Sequence, residues 1–170
     1  MKFDVRYANH PDDSKRYDTK ELREKYLIEK LFAEDDILLT YSHQDRIIAG
    51  GAMPVKQKLS LGTFKELATN FFLERREMGL INIGGAGTVT LDGKVYNIGF
   101  KEGLYIGMGT KEVVFASDDP AHPAKFYINS CPAHKTYPTV KITKPVEGKP
   151  APEGMAYCIQ RHLGSEATIN

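Results

Sequence analysis

The sequence predicts a mainly β protein, a barrel or jelly roll with one short helix near its N-terminus, and three observations carry that reading. From Ile37 onward, short segments rich in Val, Ile, Leu, Tyr and Phe are broken every few residues by Gly, Pro or Asp, which is the rhythm of strands joined by tight turns. Asp92-Gly93 separates two such segments, and a two-residue type I′ hairpin needs the positive φ at both central positions that this pair tolerates. Helical periodicity, by contrast, is confined to one stretch ahead of Ile37.

The helix is expected to start at Asp18, which has capping-box spacing to Glu21, and to run through the helix formers Leu22 to Phe32. Leu22, Tyr26, Leu27 and Leu31 share one helical face, so the helix should pack on the outside of the barrel or meet a partner. Strands are expected at Ile37 to Tyr41, Ile47 to Ala52 and Gln57 to Leu61. Phe64 to Ala68 suggests a single helical turn, and Phe71-Phe72-Leu73 a strand leading into Glu74-Arg75-Arg76-Glu77. Thr88 to Leu91 alternates ahead of the hairpin, and Leu104 to Ile106, Val113 to Ala116 and Lys125 to Ile128 complete the set. Gly84, Gly85 and Gly87 lack the G-x-G-x-x-G spacing of a nucleotide loop and mark a bend or bulge between strands. After Tyr137-Pro138 come Pro145, Gly148, Pro150, Pro152 and Gly154, the composition of a linker or surface strap.

Composition bounds the function. With 170 residues the chain is the size of one domain, and a chain near 150 residues buries roughly 70% of its unfolded surface, so a core forms without staples. The 23 basic and 22 acidic side chains leave a net charge of +1, which points to neither nucleic acid nor an anionic membrane surface. No apolar run reaches the roughly 18 residues of a membrane span, and charges break the N-terminal residues where a secretory signal would be apolar. Cys131 and Cys158 are too sparse for a disulfide framework, so a cytoplasmic location is expected.

The spacing around the glycine cluster matches the two-motif pattern of cupin barrels, which present two His and a Glu, then another His, to a metal with one open position. Glu77 lies at the ligand interval before Gly84, but the two His positions fall on Asn70 and Phe72, or on Phe71 and Leu73. In the second motif, Lys101 to Glu112, Gly109 holds the turn and Glu112 stands at the His position. The expectation is thus a cupin-like (RmlC-like) barrel with a degenerate ligand set and no metal of its own, since two carboxylates fall short of the six or more oxygens of a hard-cation site. His134, two residues beyond Cys131, has no second ligand pair, and His10, His122 and His162 read as solvated.

Three side chains are candidates for gripping an acidic small molecule. In Ser42-His43-Gln44-Asp45-Arg46, an imidazole, His43, stands beside the carboxylate-matching fork of Arg46, although the same residues also suit a plain turn. Arg75, in Glu74-Arg75-Arg76-Glu77, either grips a carboxylate or belongs to a surface ion-pair network.

Tyr41 to Pro54, Phe72 to Glu77 with Ile81 to Thr88, and Lys111 to Ser117, in that order, resemble the 5-keto-4-deoxyuronate isomerase family over nearly the whole chain. The resemblance implies a two-barrel cupin subunit, a homo-hexamer, and a zinc ion held by histidines and a glutamate in the second barrel, outside this chain. It also implies a ketol-isomerase acting on a uronate-derived keto sugar acid, interconverting 5-dehydro-4-deoxy-D-glucuronate and 3-deoxy-D-glycero-2,5-hexodiulosonate in pectin breakdown. On this reading residues 1–36 form an N-terminal arm and helix, 37–140 the degenerate barrel, and 141–170 a linker and the start of the second barrel, and the catalytic residues are not assigned. Two other readings stay open: a non-catalytic module for sugar-acid binding or oligomerisation, and a metal-free isomerase using Glu77 and Glu112 as acid and base.

Overall fold

A computed structural model describes residues 1–143. Two β-sheets enclose one apolar core. The larger has seven strands in the order β1-β2-β3-β10-β5-β8-β11, and the smaller has four in the order β4-β9-β6-β7. The strands are β1 Lys2–Arg6, β2 Asp36–Ser42, β3 Ile48–Met53, β4 Leu59–Ser60, β5 Arg76–Asn82, β6 Gly87–Leu91, β7 Lys94–Ile98, β8 Gly103–Ile106, β9 Val113–Ser117, β10 Phe126–Pro132 and β11 Val140–Ile142. Every pairing is antiparallel except β1 with β2, so the mainly β reading holds.

Strand alternation builds the core. Ile37, Leu39, Met78, Leu80, Leu104, Ile106 and Ile128 of the large sheet face Val89, Leu91, Val113 and Phe115 of the small one, all at most 5% exposed. Phe115 and Phe126 meet across the two sheets with ring centroids 5.4 Å apart. Each such side chain contributes roughly 1.5–3 kcal/mol of burial free energy, so the inner faces dominate stability.

In the N-terminal arm, Phe3 and Val5 turn toward the core while β1 runs parallel to β2 in the register Lys2↔Leu38. The helical part departs from expectation. Helix α1 is a single turn, Pro11–Ser14, and α2 is capped as expected by Asp18 and Glu21 but spans only Thr19–Tyr26. Leu27 is already extended, and its carbonyl accepts from Nη1 of Arg6 at 2.8 Å. The helix stops because the chain must lay Phe32 on β3, where a Cβ on Gly51 would lie 2.5 Å from the Phe32 ring. The expected packing face is therefore left open, with Leu22, Tyr26 and Leu27 each 39–48% exposed.

Other expectations meet mixed outcomes. Leu91 pairs with Lys94 around Asp92 and Gly93, whose φ values of 46° and 85° form the anticipated hairpin. Lys65–Leu67 is the expected helical turn, here a 3₁₀ turn. Phe71-Phe72-Leu73, however, is not a strand: these residues lie in turns, and β5 starts only at Arg76. β11 pairs with β8 across the expected 140/141 boundary, while the remaining linker residues, from 144 on, lie outside the described residues. Among the described residues no helix is long and apolar enough to cross a membrane.

Candidate functional site

The start of β5 fixes which side chains enter the barrel. Because the strand begins at Arg76, its parity sends Arg76, Met78, Leu80 and Asn82 inward and Glu77, Gly79 and Ile81 outward. Arg76 is only 4% exposed. Its Nε donates to Ser130 Oγ at 3.2 Å, and its Nη2 donates to the carbonyls of Arg46 at 2.7 Å and Ser130 at 2.9 Å. The guanidinium carbon lies 5.9 Å from the centre of the Tyr41 ring. Burial pulls the pKa of this guanidinium down to about 10, so it stays charged at neutral pH at a desolvation cost. Sequence reasoning left Arg76 inside a surface network; the signal that finds it is the period-two run Arg76, Met78, Leu80, Asn82.

The three candidate residues lie around this end of the barrel. His43 to Arg46 form the β2–β3 turn, closed by Ser42 N–H donating to the Ile47 carbonyl at 2.8 Å, with Asp45 and Arg46 both at positive φ. Arg46 has an exposed side chain and lends only its carbonyl to Arg76. His43 is exposed, stacked on Tyr7 with centroids 4.6 Å apart and edge-on to Tyr41 at 5.0 Å. Arg75 is exposed and donates to the Ala68 carbonyl at 2.6 Å. Arg76 thus ties the Arg46 turn to the segment carrying Arg75, while the guanidinium groups of Arg46 and Arg75 do not join it in the interior.

Among the described residues no salt bridge joins any two of Glu74, Arg75, Arg76 and Glu77. Glu74 instead accepts from the Asn70 N–H, and Glu77 accepts from the Tyr105 hydroxyl at 2.8 Å, with the Cys131 thiol 3.7 Å away.

The cupin ligand positions do not fit a metal. Phe72 and Leu73 are 2% and 0% exposed within the apolar core. Glu77 points out of the large sheet, correcting the expectation that it lines the barrel, because Arg76, Met78, Leu80 and Asn82 take the inward positions of β5. Glu112 is exposed beside the hairpin turn, where its N–H donates to Asp92 at 2.8 Å. Among the described residues no three His, Cys, Asp or Glu side chains come together. The two carboxylates also face different surfaces, so they do not form an acid–base pair.

The remaining histidines have local roles. His10 Nδ1 caps α1 by accepting from the Asp12 N–H, His122 pairs with Asp119 at 3.0 Å, and His134 is exposed. His162 lies outside the described residues.

Comparison with known proteins gives a consistent picture. The model of the KduI/IolB family matches residues 26–162. A protein from Formosa agariphila named 4-deoxy-L-threo-5-hexosulose-uronate ketol-isomerase is 55% identical over 84% of this chain and 51% of its own length. Relatives with the same name from Lachnoclostridium phytofermentans (52% identity, 96% of this chain and 55% of its own) and Escherichia coli (56%, 83% and 51%) agree. The chain spans about half the length of the curated relatives it matches. A solved cupin protein from Bacteroides fragilis is 16% identical over 51% of this chain and 64% of its own, with a TM-score of 0.37, too distant to carry an argument.

Proposed function

Because the chain belongs to the KduI/IolB family, we propose that it is the N-terminal part of a ketol-isomerase interconverting 5-dehydro-4-deoxy-D-glucuronate and 3-deoxy-D-glycero-2,5-hexodiulosonate. The observation that carries this reading is identity of 52–56% over most of the chain to relatives named as that isomerase. The reaction moves a proton between adjacent carbonyl and hydroxyl carbons, a step that gains from a Lewis acid at the developing oxyanion and a side-chain base.

In this proposal the zinc that supplies the Lewis acid is held by residues outside this chain. The buried positions where imidazoles would stand carry Phe72 and Leu73 instead, which supports that division. This barrel then serves as scaffold and subunit contact in a homo-hexamer of the cytoplasm, in the breakdown of pectin-derived uronates. His43, Arg46 and Arg75 contribute, if they meet the sugar acid, from the exposed rim rather than from the interior.

An isomerase assay on the 170-residue chain and on a protein of the relatives' full length, each with and without added zinc, tests the reading. Turnover is expected only from the longer protein. Turnover by the 170-residue chain alone refutes the division of labour, and none from either protein refutes the assigned reaction.

A further inference from the structure

Among the described residues Arg76 alone carries a formal charge into the interior. Of its five N–H groups, the fold satisfies three, on Nε and Nη2. Neither N–H of Nη1 meets an acceptor among the described residues, and no carboxylate there pairs with the guanidinium. Its titratable neighbours are Tyr41, Cys131 and the opposing cation Arg46. Tyr41 adds a second incomplete group: the residue is 6% exposed, and its hydroxyl makes no hydrogen bond among the described residues.

Buried charges in proteins are paired, and a buried polar group without a partner calls for a water or an ion. Water satisfies N–H groups but leaves the charge unbalanced; an anion does both. We infer that this end of the barrel binds a small carboxylic acid, its carboxylate accepting from the Nη1 edge of Arg76 and from the Tyr41 hydroxyl. One buried cation balances one negative charge, which favours a carboxylate over a dianionic phosphate. Tyr41, Phe64 and Phe72, with successive centroids 6.5 and 6.2 Å apart, supply an apolar wall for the rest of the molecule. The exposed His43–Arg46 turn borders this end of the barrel, its Arg46 carbonyl accepting from Nη2. The inference concerns this barrel only and does not need the isomerase reading.

Calorimetric titration of the 170-residue chain at constant ionic strength, with sodium acetate, sodium D-glucuronate, D-glucose and inorganic phosphate as probes, tests it. Saturable binding of both carboxylates, none of glucose, and phosphate no tighter than acetate are expected. Arg76→Met should weaken carboxylate binding about tenfold or more, and Tyr41→Phe about threefold, the scale of a charged and a neutral hydrogen bond. Absence of saturable carboxylate binding, equal binding by Arg76→Met, equal binding of glucose, or tighter binding of phosphate each overturns the proposal. Should Arg76→Met not fold, thermal melts of the unaltered chain decide: acetate and glucuronate must raise the midpoint where chloride and glucose do not, and equal midpoints overturn the site.

Discussion

The inner face of β5 ends in two polar residues that differ in how completely the fold surrounds them. At one end Asn82, 0% exposed, donates to the carbonyls of Gly85 and Ile98 at 2.7 and 2.9 Å and accepts from the N–H groups of Gly84 and Lys125 at 3.0 and 3.2 Å. Both donors and both lone pairs of its amide are used. At the other end, six residues and about 20 Å along the strand, Arg76 uses three of its five N–H groups. The strand, the face and the depth are shared, so the difference lies in the neighbours. Asn82 has all its amide groups taken by the glycine bend and neighbouring backbone, whereas Arg76 is held by Ser130 of β10 and by the carbonyl of one exposed turn, with Nη1 left over. A barrel end closed in all its hydrogen bonds is architecture, and an end left incomplete has capacity for a ligand.

The largest effect expected is at the closed end. Asn82→Leu removes an amide while leaving four backbone groups without it, and should cost about 3 kcal/mol or more, read as a fall in the denaturant midpoint. A loss under about 1 kcal/mol would mean that this end is no more rigid than the other. Gly85→Ala probes the same closure through space rather than bonding. A Cβ there would lie 1.8 Å from the His122 carbonyl oxygen, so backbone must move, at a cost of about 2 kcal/mol. Near-unchanged stability would show that the segment around His122 yields freely.

Such contrasts also explain how far the sequence could be read. Asp92-Gly93 was legible because a tight turn is decided by the φ preferences of two residues, and both have positive φ. The family resemblance was legible because long ordered stretches carry it, as the match over residues 26–162 reflects. The C-terminal limit of α2 was not, because local propensity runs on to Phe32 while the docking of Phe32 over Gly51 ends the helix at Tyr26. The site was misread for a related reason. Phe71 to Leu73 have strand-like composition, but Leu73 lends its carbonyl to Gly109 in a turn, and the true strand begins at Arg76. One residue of parity turns Glu77 outward and Arg76 inward, and with it the chemistry of the barrel end changes from acidic to basic.

Asp35 extends the comparison to the surface, with a smaller effect. Its carboxylate accepts from the N–H groups of Val55, Lys56 and Gln57, at 2.8, 2.8 and 3.2 Å. The Val55 bond foremost, with the other two, holds its pKa below the usual carboxylate value. A carboxyl with a lowered folded pKa stabilises the fold above its unfolded pKa, and that contribution is lost as pH falls through the folded value. Asp35→Asn should therefore lower the melting temperature at neutral pH, and the gap to the unaltered chain should close as the solution is acidified below about pH 4. A gap that does not change with pH would assign the effect to shape rather than charge.

The smallest change in stability is expected where the fold is incomplete. Burial of the Arg76 guanidinium opposes folding by an amount on the order of 3 kcal/mol, judged from a pKa lowered to about 10, and its three hydrogen bonds return a similar sum. Arg76→Met removes both, so stability at neutral pH should stay within about 1 kcal/mol of the unaltered chain, as replacements of buried ions by apolar groups commonly do. The sign with pH follows from a base whose folded pKa lies below its unfolded one. The unfolded chain binds more protons above about pH 10, so the arginine protein gains on the methionine variant as pH rises from about 9 to 11. Denaturant melts of both proteins across that range measure the crossing. A loss at neutral pH as large as that of Asn82→Leu would show that Arg76 is held as completely as Asn82, and the two ends of β5 would then be alike.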